Sequence, residues 1–144
     1  MSVQSVLLPL FVQVALTFVL VYALAIGRVR ELTAGRIQPA DVSLGQPGWP
    51  RRLTLLGNSL RNQFEIPVLF YVLTLLALAT SKAGVVFVVL AWVFVLSRIA
   101  HAAVHVTSNN MRVRGPLYGL GILVLTIMWV FFAAEILLAP VSSS

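Results

Sequence analysis

Four stretches of this chain carry no charged side chain: Met1 to Gly27, Ile66 to Ser81, Ala83 to Ser97 and Gly115 to Ala134. A bilayer core of roughly 30 Å is crossed by about 20 helical residues, so apolar runs of this kind read as transmembrane helices. Sixty per cent of the residues are hydrophobic, 10% are charged and the mean hydropathy is +1.00, outside the range of soluble domains. The first and last stretches are long enough alone, but the middle two hold 16 and 15 residues. Those two spans must draw neighbouring polar residues into the slab, and the polar residues so drawn in are the candidates for function.

The chain is therefore expected to be an all-α integral membrane protein, a four-transmembrane-helix bundle in one domain over 1–144. Helices are expected at about 3–26, 50–80, 84–109 and 116–139. The connection at about 27–49 reads as a loop, punctuated by Gly35, Pro39, Gly45, Pro47 and Gly48, with Trp49 suited to the headgroup region and Pro50 to a helix start. Ser81-Lys82-Ala83-Gly84 predicts a tight antiparallel hairpin of the second and third spans, and Pro140 ends the fourth before a polar tail. Ala23-Leu24-Ala25 offers a leader-cleavage pattern, but the residues before the apolar run carry no positive charge and the run is too long, so the first helix is expected to stay.

Basic residues set the expected orientation. Arg28, Arg30, Arg36, Arg51, Arg52 and Arg61 lie between the first two spans, and Arg98, Arg112 and Arg114 at or after the end of the third, against Lys82 alone on the other side. The positive-inside rule then puts both termini on the non-cytoplasmic side and the two basic connections in the cytoplasm. The calculated pI near 11.2 does not point to nucleic acid, because no soluble domain presents these charges. With no cysteine, the chain itself supplies no thiol nucleophile, thiolate metal ligand or disulfide.

The expected hairpin permits a depth calculation. Counted from Lys82, Glu65 lies 17 residues back and Arg98 16 forward, so at about 1.5 Å per residue both sit roughly 25 Å from the outer turn. Asn62 matches His101 and Asn58 matches His105 in the same way. Asn58, Asn62 and Glu65 follow i, i+4, i+7 spacing, and Arg98, His101 and His105 follow i, i+3, i+7, so each set occupies one face of its helix. An ionisable group in hydrocarbon costs about 2.5 to 3.5 kcal/mol, so Glu65 and Arg98 are expected to face inward, toward each other or a ligand. Pro67 removes a backbone donor and frees the carbonyl of Gln63, predicting a kink beside Glu65.

These residues admit several readings. A buried Glu65–Arg98 pair can simply lock the hairpin. His101 and His105 at i, i+4 can share a metal ion with Glu65 as third ligand, although HAAVH lacks the glutamate of a zinc-protease motif and no fourth ligand is evident. The polar layer can also serve a non-catalytic binding protein or a small transporter, with Gln13 and Thr17 lining a path or bonding to a neighbouring helix. Glu135 reads as interfacial, and Gly119 and Gly121 permit close helix approach.

Helix two reads Asn62-Gln63-Phe64-Glu65-Ile66-Pro67-Val68-Leu69-Phe70-Tyr71, and helix three Arg98-x-x-His101-x-x-x-His105 with Arg112 seven residues on. The first resembles the Asn-x-x-Glu segment, and the second the Arg-x-x-Tyr-x-x-x-Tyr pattern with following arginine, of the MAPEG proteins, membrane-associated proteins of eicosanoid and glutathione metabolism. The resemblance covers essentially the whole chain. It implies a homotrimer in a membrane, with glutathione as cosubstrate at each subunit interface near the cytoplasmic side, and a lipophilic small molecule as second substrate. By that resemblance Asn62 and Glu65 bind the glutathione backbone, Arg98 binds a carboxylate or holds Glu65, and Arg28 and Arg30 meet the other carboxylate. His101 and His105 stand where many members have tyrosines, and Asn58 where they have an arginine; these departures resemble a divergent bacterial branch, implying a bacterial inner membrane.

The same resemblance makes Arg112, or Arg114 at a slightly longer spacing, the candidate for stabilising a thiolate. A free thiol of pKa about 8.5 is only a few per cent ionised at pH 7, and the thiolate is the nucleophile. A guanidinium stays charged even when partly desolvated. Glutathione transfer to an electrophile, or reduction of a hydroperoxide, is the activity implied.

Overall fold

The computed structural model describes residues 1–141 and has only helices as regular structure there, with α1 over Val3–Thr33, α2 over Arg51–Asn62, α3 over Ile66–Ala79, α4 over Val85–Val106 and α5 over Met111–Leu137. Four helical stretches are long and apolar enough to cross a membrane, α2 and α3 together making one of them. Phe11, Phe18, Leu75, Val86, Leu96, Leu123 and Val130 point outward, the arrangement expected when the surrounding solvent is hydrocarbon. The polar tail expected after Pro140 runs into residues 142–144, outside the described part.

The core lies between α3, α4 and α5. Phe70, Leu73, Ala91, Phe94, Val95, Val124, Leu125 and Met128 are buried together, with the Phe70 and Phe94 rings 4.8 Å apart. A second cluster of Leu20, Leu24, Leu53 and Leu56 joins α1 to α2. Gly27 makes that approach possible, since a Cβ there would run into the Leu53 side chain.

Four boundaries differ from the sequence expectation. The first helix runs seven residues past 26, to Thr33, because nothing before Gly35 opposes it. Gly35, at φ 72°, then closes it: its N–H bonds to Leu32 O and that of Arg36 to Glu31 O, the paired bonds that end a helix in a left-handed turn. The connecting loop is thus 34–50 and holds a short 3-10 turn, Pro39–Asp41. The third span stops at Val106, where Asn109 takes up φ 52° and bonds back to Val104 O. The fourth begins at Met111 rather than 116, because the Asn110 side chain caps it by accepting from Arg112 N, leaving Pro116 inside the helix.

The fourth difference matters most for the site. The span expected over 50–80 is two helices, broken at Gln63–Glu65, where Gln63, Phe64 and Glu65 each bond only three residues back. Pro67 follows as the second residue of α3, with no N–H to offer Gln63. The hairpin is looser than expected along α3: α3 meets α4 through large side chains such as Phe70 on Phe94, with its backbone closer to α1 and α5, while α2 packs directly on α4. The break redirects the chain, so it is α2, with its polar residues, that meets the polar end of α4.

Candidate functional site

Asn62 is the last residue of α2. In an unbroken helix its carbonyl would accept from the N–H four residues on; here it receives Glu65 N at 3.4 Å and Arg98 Nη2 at 3.5 Å. A cation at a helix C-terminus complements the partial negative charge of the free carbonyls. Arg98 is fully buried, its guanidinium carbon 5.6 Å from the centre of the Tyr118 ring on α5. Gly121 makes room for it: an added Cβ would lie 3.3 Å from Ser97 Oγ and 3.6 Å from Arg98 Cδ. Arg98 thus sits as an internal prop beneath the helix break, its Nε and Nη1 buried without a protein partner, and it forms no ion pair with Glu65. The one ion pair among the described residues is Arg36 with Glu31 at 2.9 Å.

Above this prop lies a cleft of about 490 Å³ between α2, the start of α3, α4 and α5. Its walls carry Asn58, Arg61, Asn62 and Glu65 from the second span, His101 and His105 from the third, and Arg114 and Tyr118 from the fourth. Asn62 Nδ2 stands 3.4 Å from His105 Nδ1. An amide nitrogen can only donate, so His105 Nδ1 accepts and the ring proton of the neutral imidazole sits on Nε2. The His101 ring lies 5.6 Å from that of His105 and 5.4 Å from Tyr118. Glu65 is exposed at the N-cap position of α3, where a carboxylate complements the helix N-terminus.

The polar residues of the two spans are therefore together, but one turn out of the expected register: Asn62 meets His105 and not His101, because the break changes the path of the second span. Of the arginine candidates, Arg114 is half-buried in the cleft wall, its guanidinium bonded to Asn109 Oδ1, whereas Arg112 is exposed and does not line the cleft. Arg28 lines a second cleft, and Arg30 is exposed outside both. Glu65, His101 and His105 do not form a three-ligand cluster, and no other such group occurs among the described residues, so the metal reading lacks its third ligand.

Two contributors escaped the sequence reading. Tyr118 packs on both Arg98 and His101, and its signal was its i, i+4 spacing from Arg114 on the fourth helix. Gln63, beside the break, turns inward: Gln13 Nε2 donates to its Oε1 at 2.8 Å, and Gln63 Nε2 donates to Ser59 O at 3.0 Å. Gln13 is thus a tie between spans, while the Thr17 hydroxyl bonds within its own helix. Gly121 permits a close approach but Gly119 faces open space, and Glu135 is exposed at the opposite end near Lys82.

Fold and site together define an integral, multi-pass helical membrane protein with a strongly polar cleft at the end of its bundle that carries the basic connections. The model of the MAPEG family matches residues 6–134, nearly the whole chain, and the protein belongs to that family. No curated protein and no solved structure matches it.

Proposed function

We propose that the cleft binds glutathione or a closely related thiol peptide and that the protein is a transferase or peroxidase acting on lipophilic electrophiles. The observation that carries this reading is the charge pattern of the cleft: two guanidiniums, Arg61 and Arg114, with a single carboxylate, Glu65, and two amides, Asn58 and Asn62. Such a lining suits an anionic thiol peptide with one amine, its ammonium at Glu65, its backbone at the amides and its carboxylate and thiolate at the guanidiniums. The volume lies within the roughly 300–1,000 Å³ of small-molecule pockets. Membership of the MAPEG family supports the same ligand class.

In this reading Arg61 meets one carboxylate, Arg30 of a neighbouring subunit the other, and Arg114, which lines the cleft together with Tyr118, stabilises the thiolate. Lowering a thiol pKa by two units takes about 2.7 kcal/mol of preference for the anion, reasonable for a charge-assisted contact at a water-poor site. The thiolate then attacks an electrophilic carbon of a lipid-soluble substrate, and the displaced group or opened oxygen leaves as the anion or takes a proton from water. The apolar outer faces suit a homotrimer in which Arg30 of one subunit reaches the cleft of the next. The two basic connections suit a cytoplasmic placement in a bacterial inner membrane, with both termini outside.

Calorimetric titration of glutathione into detergent-purified protein tests this. Saturable binding is expected, weakened by about tenfold or more in Glu65→Gln, where the partner of a charged ammonium is lost. Absence of binding, or equal affinity in Glu65→Gln and Arg114→Ala, contradicts the proposal.

A further inference from the structure

The second cleft, of about 500 Å³, lies between the end of α1, the loop before α2, and α2 itself. Its loop wall is braced: Gln46 Nε2 donates to Ala40 O at 2.9 Å while Gln46 Oε1 accepts from Leu44 N at 2.8 Å. Gly45 adopts φ 78°, and a Cβ on Gly48 would come within 2.9 Å of Val42 Cγ1, so the loop closes on itself only with glycine there. Arg28 is held at this wall with its guanidinium carbon 5.0 Å from the centre of the Trp49 ring, a cation–π contact. Its Nε is buried without a protein partner. Gly57 faces it, and a Cβ at that position would already lie 3.6 Å from Arg28 Nη2, so the lack of a side chain on α2 keeps the guanidinium edge open.

The lining differs in charge from that of the thiol cleft. It contains Arg28 and Arg61 and no acidic residue, so it suits a ligand that is purely anionic. Arg28 directly follows the charge-free stretch Met1 to Gly27, placing it at the edge of the hydrocarbon, and Trp49 is a residue type favoured at headgroup depth. Leu24, Leu53, Leu60 and Phe64 continue the wall with apolar surface, Phe64 being 63% exposed. Phosphate is the anion concentrated at that depth, and guanidinium forks grip it bidentately.

We propose that this second cleft is a binding site for an anionic phospholipid, its phosphate held between Arg28 and Arg61 and its glycerol and upper acyl chain along Leu24, Leu60 and Phe64. Because Asn58 and Arg61 line both clefts, the lipid and the thiol ligand share a wall.

Native mass spectrometry of detergent-purified protein with defined lipids tests the site. Phosphatidylglycerol is expected to be retained about tenfold more strongly than phosphatidylcholine of the same chains, and the preference to fall to near parity in Arg28→Gln and in Gly57→Leu, which fills the cleft without changing charge. Arg52→Gln removes the same charge from an exposed position outside both clefts and is expected to keep the preference. Equal retention of the two lipids, or equal loss in all three variants, overturns the proposal in favour of bulk electrostatics. Displacement of phosphatidylglycerol by glycerol phosphate or a fatty acid at matched concentration overturns the lipid assignment, and loss of glutathione binding in Gly57→Leu, a position that lines this cleft alone, assigns the cleft to the thiol site instead. Should Arg28→Gln and Gly57→Leu fail to fold, Arg28→Lys, which keeps the charge and loses the guanidinium fork, is expected to lower the preference, and an unchanged preference overturns the proposal.

Discussion

A single guanidinium sets the geometry of the candidate site. Arg98 is fully buried and reaches the carbonyl that the helix break leaves free, with Gly121 giving its stem room. Two substitutions separate its roles. Gly121→Leu puts a branched side chain where Ser97 and Arg98 already sit, and overpacking of this kind costs about 1–3 kcal/mol, so a lowered thermal midpoint in detergent is expected. Arg98→Met keeps roughly the volume and removes a buried charge that has no counter-ion, a charge that is costly to bury. Its thermal midpoint is expected to hold or rise while glutathione affinity falls, because Asn62 and Glu65 lose their prop. A parallel loss of both contradicts a positioning role. Asn62, Glu65, Arg98, His101 and His105 were legible from helical spacing alone. The partners were not: Arg98 reaching Asn62 O instead of Glu65 depends on the backbone break, and Tyr118 arrives only through packing of the fourth helix.

The break between α2 and α3 is the element on which the cleft depends. An apolar span with one proline reads as a continuous kinked helix, and nothing in its composition distinguishes a kink from an interruption of three residues. Pro67→Ala restores an N–H within reach of Gln63 O, favouring an unbroken span. Thermal stability is expected to be unchanged or raised, and glutathione binding weakened by about tenfold, since α2 would no longer turn onto α4. Unchanged affinity shows that the cleft does not need the break. The extension of α1 to Thr33 and the early start of α5 were hidden for a related reason: Gly35, Asn109 and Asn110 end or cap their helices through backbone geometry, whereas proline and charge drew the boundaries in the sequence.

At the scale of the whole molecule, four charge-free stretches were enough to define the bundle, because a bilayer imposes length and apolarity on each span. The neighbours of each helix were less legible: α3 lies closer to α1 and α5 than to α4, from which it is held apart by bulky side chains such as Phe70 stacked on Phe94. The proposed homotrimer predicts that native mass spectrometry returns three chains, and that Arg30→Ala weakens glutathione binding although Arg30 lies outside the cleft of its own chain. A monomeric species that binds glutathione equally well contradicts that assembly. The account stands most directly on the ionisation of the bound ligand. Ultraviolet titration of glutathione bound to the protein is expected to give a thiol pKa about two units below its ordinary value of about 8.5, returning toward that value in Arg114→Ala. A thiol that titrates identically with and without the protein contradicts it.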